Sequence, residues 1–275
     1  MAKGSIGKEA VRHRWPVLEG TPVFLYHEIA EERDCNARSA NWKYAVTPKA
    51  FRDHLEQIKK VGYQISSVRE IAQGPDHLER KLSVGITFDD GCSSDYEKAF
   101  PLLLEARLRA DFFLNTANIG KAGFLNWEWI REMQKAGMEF HSHGHSHVVL
   151  SRLTPGDLER ELRSSRELLE DKLGKAVEFL AAPYGLLNRR VIQEAFRLGY
   201  RGVCNSRQWT ASWGNRCVNR VAVLGRTSTH EFRRLLVRHP LPYILRSMRS
   251  AALYLPKHVL LRFQPSQLGV QVVTE

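Results

Sequence analysis

The chain has 275 residues, 43% hydrophobic and 26% charged, which fits one large globular domain plus a tail and excludes a disordered chain. Its formal net charge of +11 admits acidic glycans, anionic lipid headgroups or nucleic acid as partners, but no groove-reading motif or stacking-aromatic pattern supports nucleic acid. Four cysteines (Cys35, Cys92, Cys204, Cys217) contain no Cys-x-x-Cys pair, so a zinc knuckle and a thioredoxin-like motif are excluded and isolated reduced thiols are expected.

Residues 1–20 read as a loose basic arm with no apolar leader segment, and no window of the chain is apolar enough to span a bilayer. Taken at face value, the chain is expected in the cytoplasm. Pro22–His27 is a short apolar run expected as a strand, and 30–46 is expected as a loop. Thr47-Pro48 followed by Phe51, Leu55, Ile58 and Val61 predicts a capped helix ending at Gly62. Strands are expected at 82–88, 110–115, 138–140, 177–182, 201–204 and 218–224. Helices are expected at 94–107, 127–136, 154–172 and 188–198. Alternation of this kind predicts a parallel α/β sheet or barrel, with reactive groups at the C-terminal ends of the strands.

Two segments at such ends carry candidate chemistry. Thr87-Phe88-Asp89-Asp90-Gly91 closes a strand with adjacent carboxylates. Neighbours on a strand point to opposite faces, but a turn at its end brings both into one pocket. Read alone, Asp-Asp-Gly is also an ordinary turn. His141-Ser142-His143-Gly144-His145-Ser146-His147 places four histidines in seven residues. The i, i+4 spacing of His143 and His147 suits one face of a helical turn, and imidazole suits zinc and related divalent metals. Asp90, His143 and His147 form a one-carboxylate, two-histidine ligand set with room for water. Asp89 is then a base beside it, which is the chemistry of amide or ester hydrolysis.

The order TFDDG, His-x-x-x-His, Ala182-Pro183-Tyr184-Gly185 resembles the polysaccharide deacetylases, carbohydrate esterase family four, over residues 22–235. Leu25-Tyr26-His27-Glu28-Ile29 and the Val46–Tyr63 stretch resemble the permuted branch that includes poly-N-acetylglucosamine deacetylases. The resemblance implies a distorted (β/α) barrel with fewer than eight regular strands, a divalent metal (zinc first, with cobalt, nickel or iron as alternatives), and an N-acetylated amino-sugar glycan as substrate. It further implies Asp89 as base, Asp90, His143 and His147 as metal ligands, the Tyr184 backbone N–H as an oxyanion donor, and His27 as the acid that protonates the leaving amine.

The chain departs from the family pattern in three places. Ala181 stands where the classical branch has an arginine that orients the base, and Arg220 is the candidate substitute. Gly144 stands where a Ser or Thr usually follows the first histidine ligand, and His141 and His145 are extra histidines that compete for the ligand role. The aromatic lining of the acetate pocket is unassigned, with Trp209 and Trp213 as candidates that equally suit a core. These departures leave an alternative open: a catalytically weakened carbohydrate-binding or assembly protein on the same fold. Beyond residue 238 the chain becomes basic and apolar (239–275). This tail is either an amphipathic contact with an anionic inner-membrane face, where a lipid-linked glycan is presented, or a helix packed on the barrel.

Overall fold

The computed structural model describes residues 16–31, 42–74 and 83–263, with side chains through residue 252. Most of the N-terminal arm, the greater part of the 30–46 loop and the end of the tail lie outside the described residues.

The strands are β1 (Val23–Tyr26), β2 (Glu28–Ile29), β3 (Ala45–Val46), β4 (Gln64–Ile65), β5 (Ser83–Asp90), β6 (Asp111–Leu114), β7 (Glu139–Ser142), β8 (Phe179–Ala181), β9 (Gly202–Asn205), β10 (Cys217–Asn219) and β11 (Val221–Ala222). The α-helices are α1 (Pro48–Val61), α2 (Val68–Gln73), α3 (Phe100–Ala106), α4 (Trp127–Lys135), α5 (Pro155–Leu173), α6 (Arg189–Arg197), α7 (Thr229–Leu236) and α8 (Pro240–Phe263). The principal sheet runs β10-β9-β8-β7-β6-β5-β1-β11, and its strands pair in parallel. Its two edges, β10 and β11, are one stretch of chain interrupted only at Arg220. A sheet whose first and last strands are continuous in the chain is nearly closed on itself. The architecture is therefore a distorted (β/α) barrel with fewer than eight regular staves.

Local chemistry sets the helix ends. Thr47 accepts the Ala50 N–H at the start of α1, with Pro48 in the first turn and Gly62 in the left-handed conformation after it. Thr154 and Gly174 bracket α5 in the same way. Helix α2 was not anticipated, although its Ser67…Glu70 pair forms a capping box that the sequence displays. Helix α7 likewise starts at a capping serine, Ser228, which accepts the Glu231 N–H.

Alternation along the strands divides the core. Phe24, Ile86, Phe88, Phe112, Leu114 and Leu180 face outward under the helices. Val23, Phe113, Phe179, Ala181, Cys204 and Val218 fill the barrel interior. At Gly202 a Cβ would lie 2.4 Å from the Phe179 ring, so glycine there lets Phe179 occupy the interior.

His54 of α1 is buried in the outer core, its ring stacked on Phe232 at 3.9 Å and its Nδ1 3.1 Å from the Tyr26 hydroxyl. Burial lowers its pKa from 6.5 to about 4. Below pH 6.5 the unfolded chain takes up a proton that the folded chain refuses. The associated stability is thus complete above about pH 6.5 and is lost as pH falls toward about 4. Near pH 5 the loss amounts to about 2 kcal/mol. Denaturant midpoints measured at neutral pH and near pH 5 should show this acid-side drop in the wild type, and His54→Leu should flatten it. An identical drop in the variant would place the acid sensitivity elsewhere.

Candidate metal centre and active site

The site lies at the C-terminal ends of β1, β5, β7 and β8, where a parallel barrel gathers its strand-end side chains. On β5, Thr87 and Asp89 face the interior; the Thr87 hydroxyl donates to the Phe24 carbonyl at 3.0 Å. Asp90 should then face outward. Its φ of 77° instead turns the chain into the left-handed region, and Asp90 meets the same pocket as Asp89. The expectation that the turn would unite the two carboxylates therefore holds, and the cause is a backbone conformation uncommon outside glycine.

Asp90, His143 and His147 converge, with one ligand atom from each lying within 4.8 Å of the others. Asp90 Oδ1 is 3.4 Å from His143 Nε2 and 3.1 Å from His147 Nε2. His143 Nδ1 is 3.0 Å from the Ala181 carbonyl, which can only accept, so Nδ1 carries the hydrogen. In the neutral ring, the Nε2 lone pair then points at a carboxylate oxygen. Asp90 Oδ1 is itself buried without a well-aligned hydrogen bond. Facing electron pairs of this kind are reconciled by a proton on the ring, whose pKa Asp89 and Asp90 raise against its burial, or by a cation, and one carboxylate with two imidazoles is a donor set that suits a zinc-type divalent ion. His143 is buried, whereas the side chains of His147 and Asp90 are 29% and 23% exposed, so the cluster opens toward solvent on one side.

The i, i+4 spacing does not place the two histidines on a helical turn. Residues 143–149 form no helix, and His147 has a φ of 56°. The loop is braced by Glu161 of α5: Oε1 accepts the N–H groups of His145 (2.7 Å) and Ser146 (2.6 Å), and Oε2 accepts the Ser146 hydroxyl (2.7 Å). Gly144 has a φ of 81°, and a Cβ there would lie 3.1 Å from Glu161 Oε1. Glycine at this position thus accommodates the brace that a following Ser or Thr side chain was expected to supply.

Arg220 supplies the guanidinium absent at Ala181. Fully buried, it pairs in bidentate fashion with Asp89, NH1 to Oδ1 at 2.6 Å and NH2 to Oδ2 at 2.8 Å. Its Nε donates to the Asn205 carbonyl at 3.3 Å, and its plane lies over the Phe113 ring. Burial alone would raise the Asp89 pKa, but the charge of Arg220, then that of His143, holds it below the usual carboxylate range. Burial likewise works against Asp90, yet the adjacent His143 and His147 hold its carboxyl well below that range.

His27 follows β1 and its ring packs 4.7 Å from Tyr44, while its Nδ1 is buried with no hydrogen-bond partner among the described residues. Burial lowers its pKa, against the pull of Asp90 and Asp89. Tyr184 has a φ of 62°, and its ring lies 4.9 Å from His147. The aromatics beside His27 and His147 are therefore Tyr44 and Tyr184. Trp209 instead meets Tyr243 of α8 edge-on, and Trp213 packs against the inner cluster. Tyr44 carries no sequence signal, since it lies at the end of an irregular loop.

The extra histidines do not join the ligand group. His145 Nδ1 is 2.9 Å from the Thr116 hydroxyl. His141 faces the barrel floor, where its Nε2 is 3.2 Å from Asp111 Oδ1 and 3.8 Å from Glu139 Oε2. Asp111 also accepts the Val68 N–H, and Arg69 bridges toward Glu139 and Glu178. This network plugs the end of the barrel opposite the candidate site.

A family model described as polysaccharide deacetylase matches residues 78–203, which includes both carboxylates, both ligand histidines and Tyr184. The match to that family model covers somewhat under half of the chain. The Streptococcus pyogenes deacetylase PplD, solved in complex with acetate, superposes with a TM-score of 0.72 at 27% identity, covering 82% of this chain and all of that one. IcaB from Ammonifex degensii gives a TM-score of 0.71 at 22% identity over 80% of this chain and 98% of its own, a likeness of fold. The poly-beta-1,6-N-acetyl-D-glucosamine N-deacetylase of Staphylococcus aureus (strain MRSA252) is 28% identical over 160 residues, 53% of this chain and 55% of its own length. YxkH of Bacillus subtilis (strain 168) is 28% identical over 182 residues, 66% of this chain and 62% of its own length. The chain thus spans less than two thirds of these curated relatives. The matched deacetylase segment leaves out His27 and Arg220, which the fold nevertheless delivers to the same end of the barrel.

Two outcomes test this geometry. After chelator treatment, calorimetric titration with zinc should give one equivalent per chain. His143→Ala should weaken binding by more than about 100-fold, beyond the cost of losing an outer-shell partner, while His141→Ala should leave the stoichiometry unchanged. Loss of the equivalent in His141→Ala would show that the floor network holds the metal. Arg220→Met leaves Asp89 buried without its counter-charge and should cost about 3–5 kcal/mol by denaturant titration. Asp89→Asn in the same chain should recover part of that loss, and no recovery would mean that the two residues are not energetically coupled.

Proposed function

We propose that the chain is a metal-dependent hydrolase that removes N-acetyl groups from an amino-sugar glycan. The observation that carries this reading is the meeting of two units at one barrel end: the Asp89–Arg220 pair and the Asp90, His143, His147 cluster. A divalent metal on that cluster, zinc first among the candidates, would supply Lewis acidity toward the acetamide carbonyl and toward water.

The protein groups supply the remainder. Asp89 takes the proton of the attacking water, and Arg220 fixes the direction from which it does so. The Tyr184 backbone N–H would donate to the oxygen on which charge develops. His27 delivers a proton to the departing nitrogen, so that acetate and a free amine leave. The named activity of the Staphylococcus aureus relative supports a poly-N-acetylglucosamine-like substrate. A lipid-linked or exported precursor is the form of glycan that a basic, apolar tail favours, with the protein on the cytoplasmic side of the membrane.

The alternative, a carbohydrate-binding or assembly protein, drew on the missing arginine at 181 and on Gly144. Arg220 and Glu161 occupy the places those residues would take, so neither departure favours it.

The test is acetate release from N-acetylglucosamine oligomers by the zinc- or cobalt-loaded protein. Asp89→Asn should lower turnover by about 10²–10⁴-fold, the usual contribution of a positioned base. No release from the metal-loaded wild type would return the binding-protein reading.

A further inference from the structure

Helix α8 presents a surface that the deacetylase reading does not use. One side of its first turns is fixed to the barrel. Tyr243 is buried and its hydroxyl donates to the Leu235 carbonyl at 2.8 Å. Arg246 donates to Glu231 (2.7 Å), to the Ala222 carbonyl (2.6 Å) and to the Thr227 hydroxyl (3.0 Å). Ser247 donates to the Gln208 carbonyl at 3.0 Å. The other side carries Leu241, Ile244, Leu245 and Met248, exposed by 44%, 43%, 57% and 65%. Their spacing of i, i+3, i+4 and i+7 makes a single stripe along the helix. These four account for most of the large exposed hydrophobics among the described residues, and Trp209, another of them, lies beside Tyr243.

The surrounding charge is mostly positive, Glu231 being held by Arg246. Between Glu231 and Glu275 the sequence contains no acidic residue and seven lysines and arginines. Arg249 is exposed on α8, and Arg207 and Arg226 are exposed on the neighbouring loops. An apolar stripe that itself carries no carboxylate and has arginines beside it complements anionic headgroups over an acyl layer. It does not complement a second copy, whose own positive run would be set against it. No helix among the described residues is long and apolar enough to cross a membrane, so a contact of this kind would lie in the surface plane.

Orientation gives the contact a consequence. Arg246 grips the Ala222 carbonyl at the C-terminal end of β11, and β11 pairs with β1, whose C-terminal end leads into His27. The stripe is therefore fastened to the catalytic end of the barrel.

We propose that α8 is a docking surface for an anionic membrane and that it holds the catalytic end beside the lipid surface. The docking surface stands on α8 alone, and its presentation of the catalytic end rests on the deacetylase reading. The test is co-sedimentation of the full chain with phosphatidylcholine–phosphatidylglycerol vesicles and with phosphatidylcholine alone. Pelleting with the anionic vesicles only, weakened by salt and reduced about tenfold by Leu245→Glu/Met248→Glu, is expected. Three results overturn it: no pelleting at low salt, equal pelleting of the double variant, or a wild-type dimer in solution that the variant dissociates. Acetate release from soluble oligomers by the double variant should match the wild type, so a failure of docking and a failure of deacetylation are read separately.

Discussion

The bidentate pair between Arg220 and Asp89 is the constraint on which the rest of the molecule turns. Two charges inside a barrel are costly to desolvate, and such a pair is tolerated only with good geometry and further hydrogen bonds. Both conditions are met: each carboxylate oxygen faces its own guanidinium nitrogen, and Nε is taken by the Asn205 carbonyl. Arg220 is also the one residue between β10 and β11, where the two edges of the sheet meet. Closing the barrel and orienting Asp89 are therefore one structural event. A barrel that failed to close would leave the carboxylate without its counter-charge.

The interior has a polar group at each end and apolar packing between them. Phe113, Phe179, Ala181 and Cys204 fill the middle, with Asp89 and Arg220 toward the candidate site and Asp111 and His141 at the floor. This division explains the dense run of histidines. His141 lies on β7 and faces inward at the floor; His143 lies past the strand end, on the ligand cluster. His145 turns to Thr116, and His147 returns to the cluster through a left-handed residue. Four chemically identical side chains thus serve three environments, and strand alternation with two left-handed residues, Gly144 and His147, separates them.

Much of this was legible before any coordinates. The alternating elements and the helix caps at Thr47 and Thr154 follow from residue chemistry and spacing, because each depends on contacts within a few residues, whereas the meeting of Asp90 with His143 and His147 was legible only from the placement of both segments at strand ends. Arg220 was reachable only as a candidate, since its partner lies 131 residues away and nothing local marks it. The helical turn expected at 143–147 was wrong because i, i+4 spacing is equally compatible with a loop, and the Glu161 brace that decides between them comes from another helix. The tryptophans at 209 and 213 were weak candidates for the acetate pocket. Burial of an aromatic against α8 or the inner cluster cannot be told from ligand lining without the tertiary fold.

Two substitutions that weaken the family pattern locally are each answered at a distance, and the answers differ in kind. Arg220 reaches Asp89 from the strand that closes the barrel, so the guanidinium has moved in the chain while its carboxylate partner has not. Glu161 replaces a neighbouring hydroxyl with a carboxylate that collects three donors, and it works only because residue 144 lacks a Cβ. In both cases the absent motif residue is a compensated change rather than a loss. The competence of such a site follows from which charges meet in the fold, and the motif string alone underestimates it.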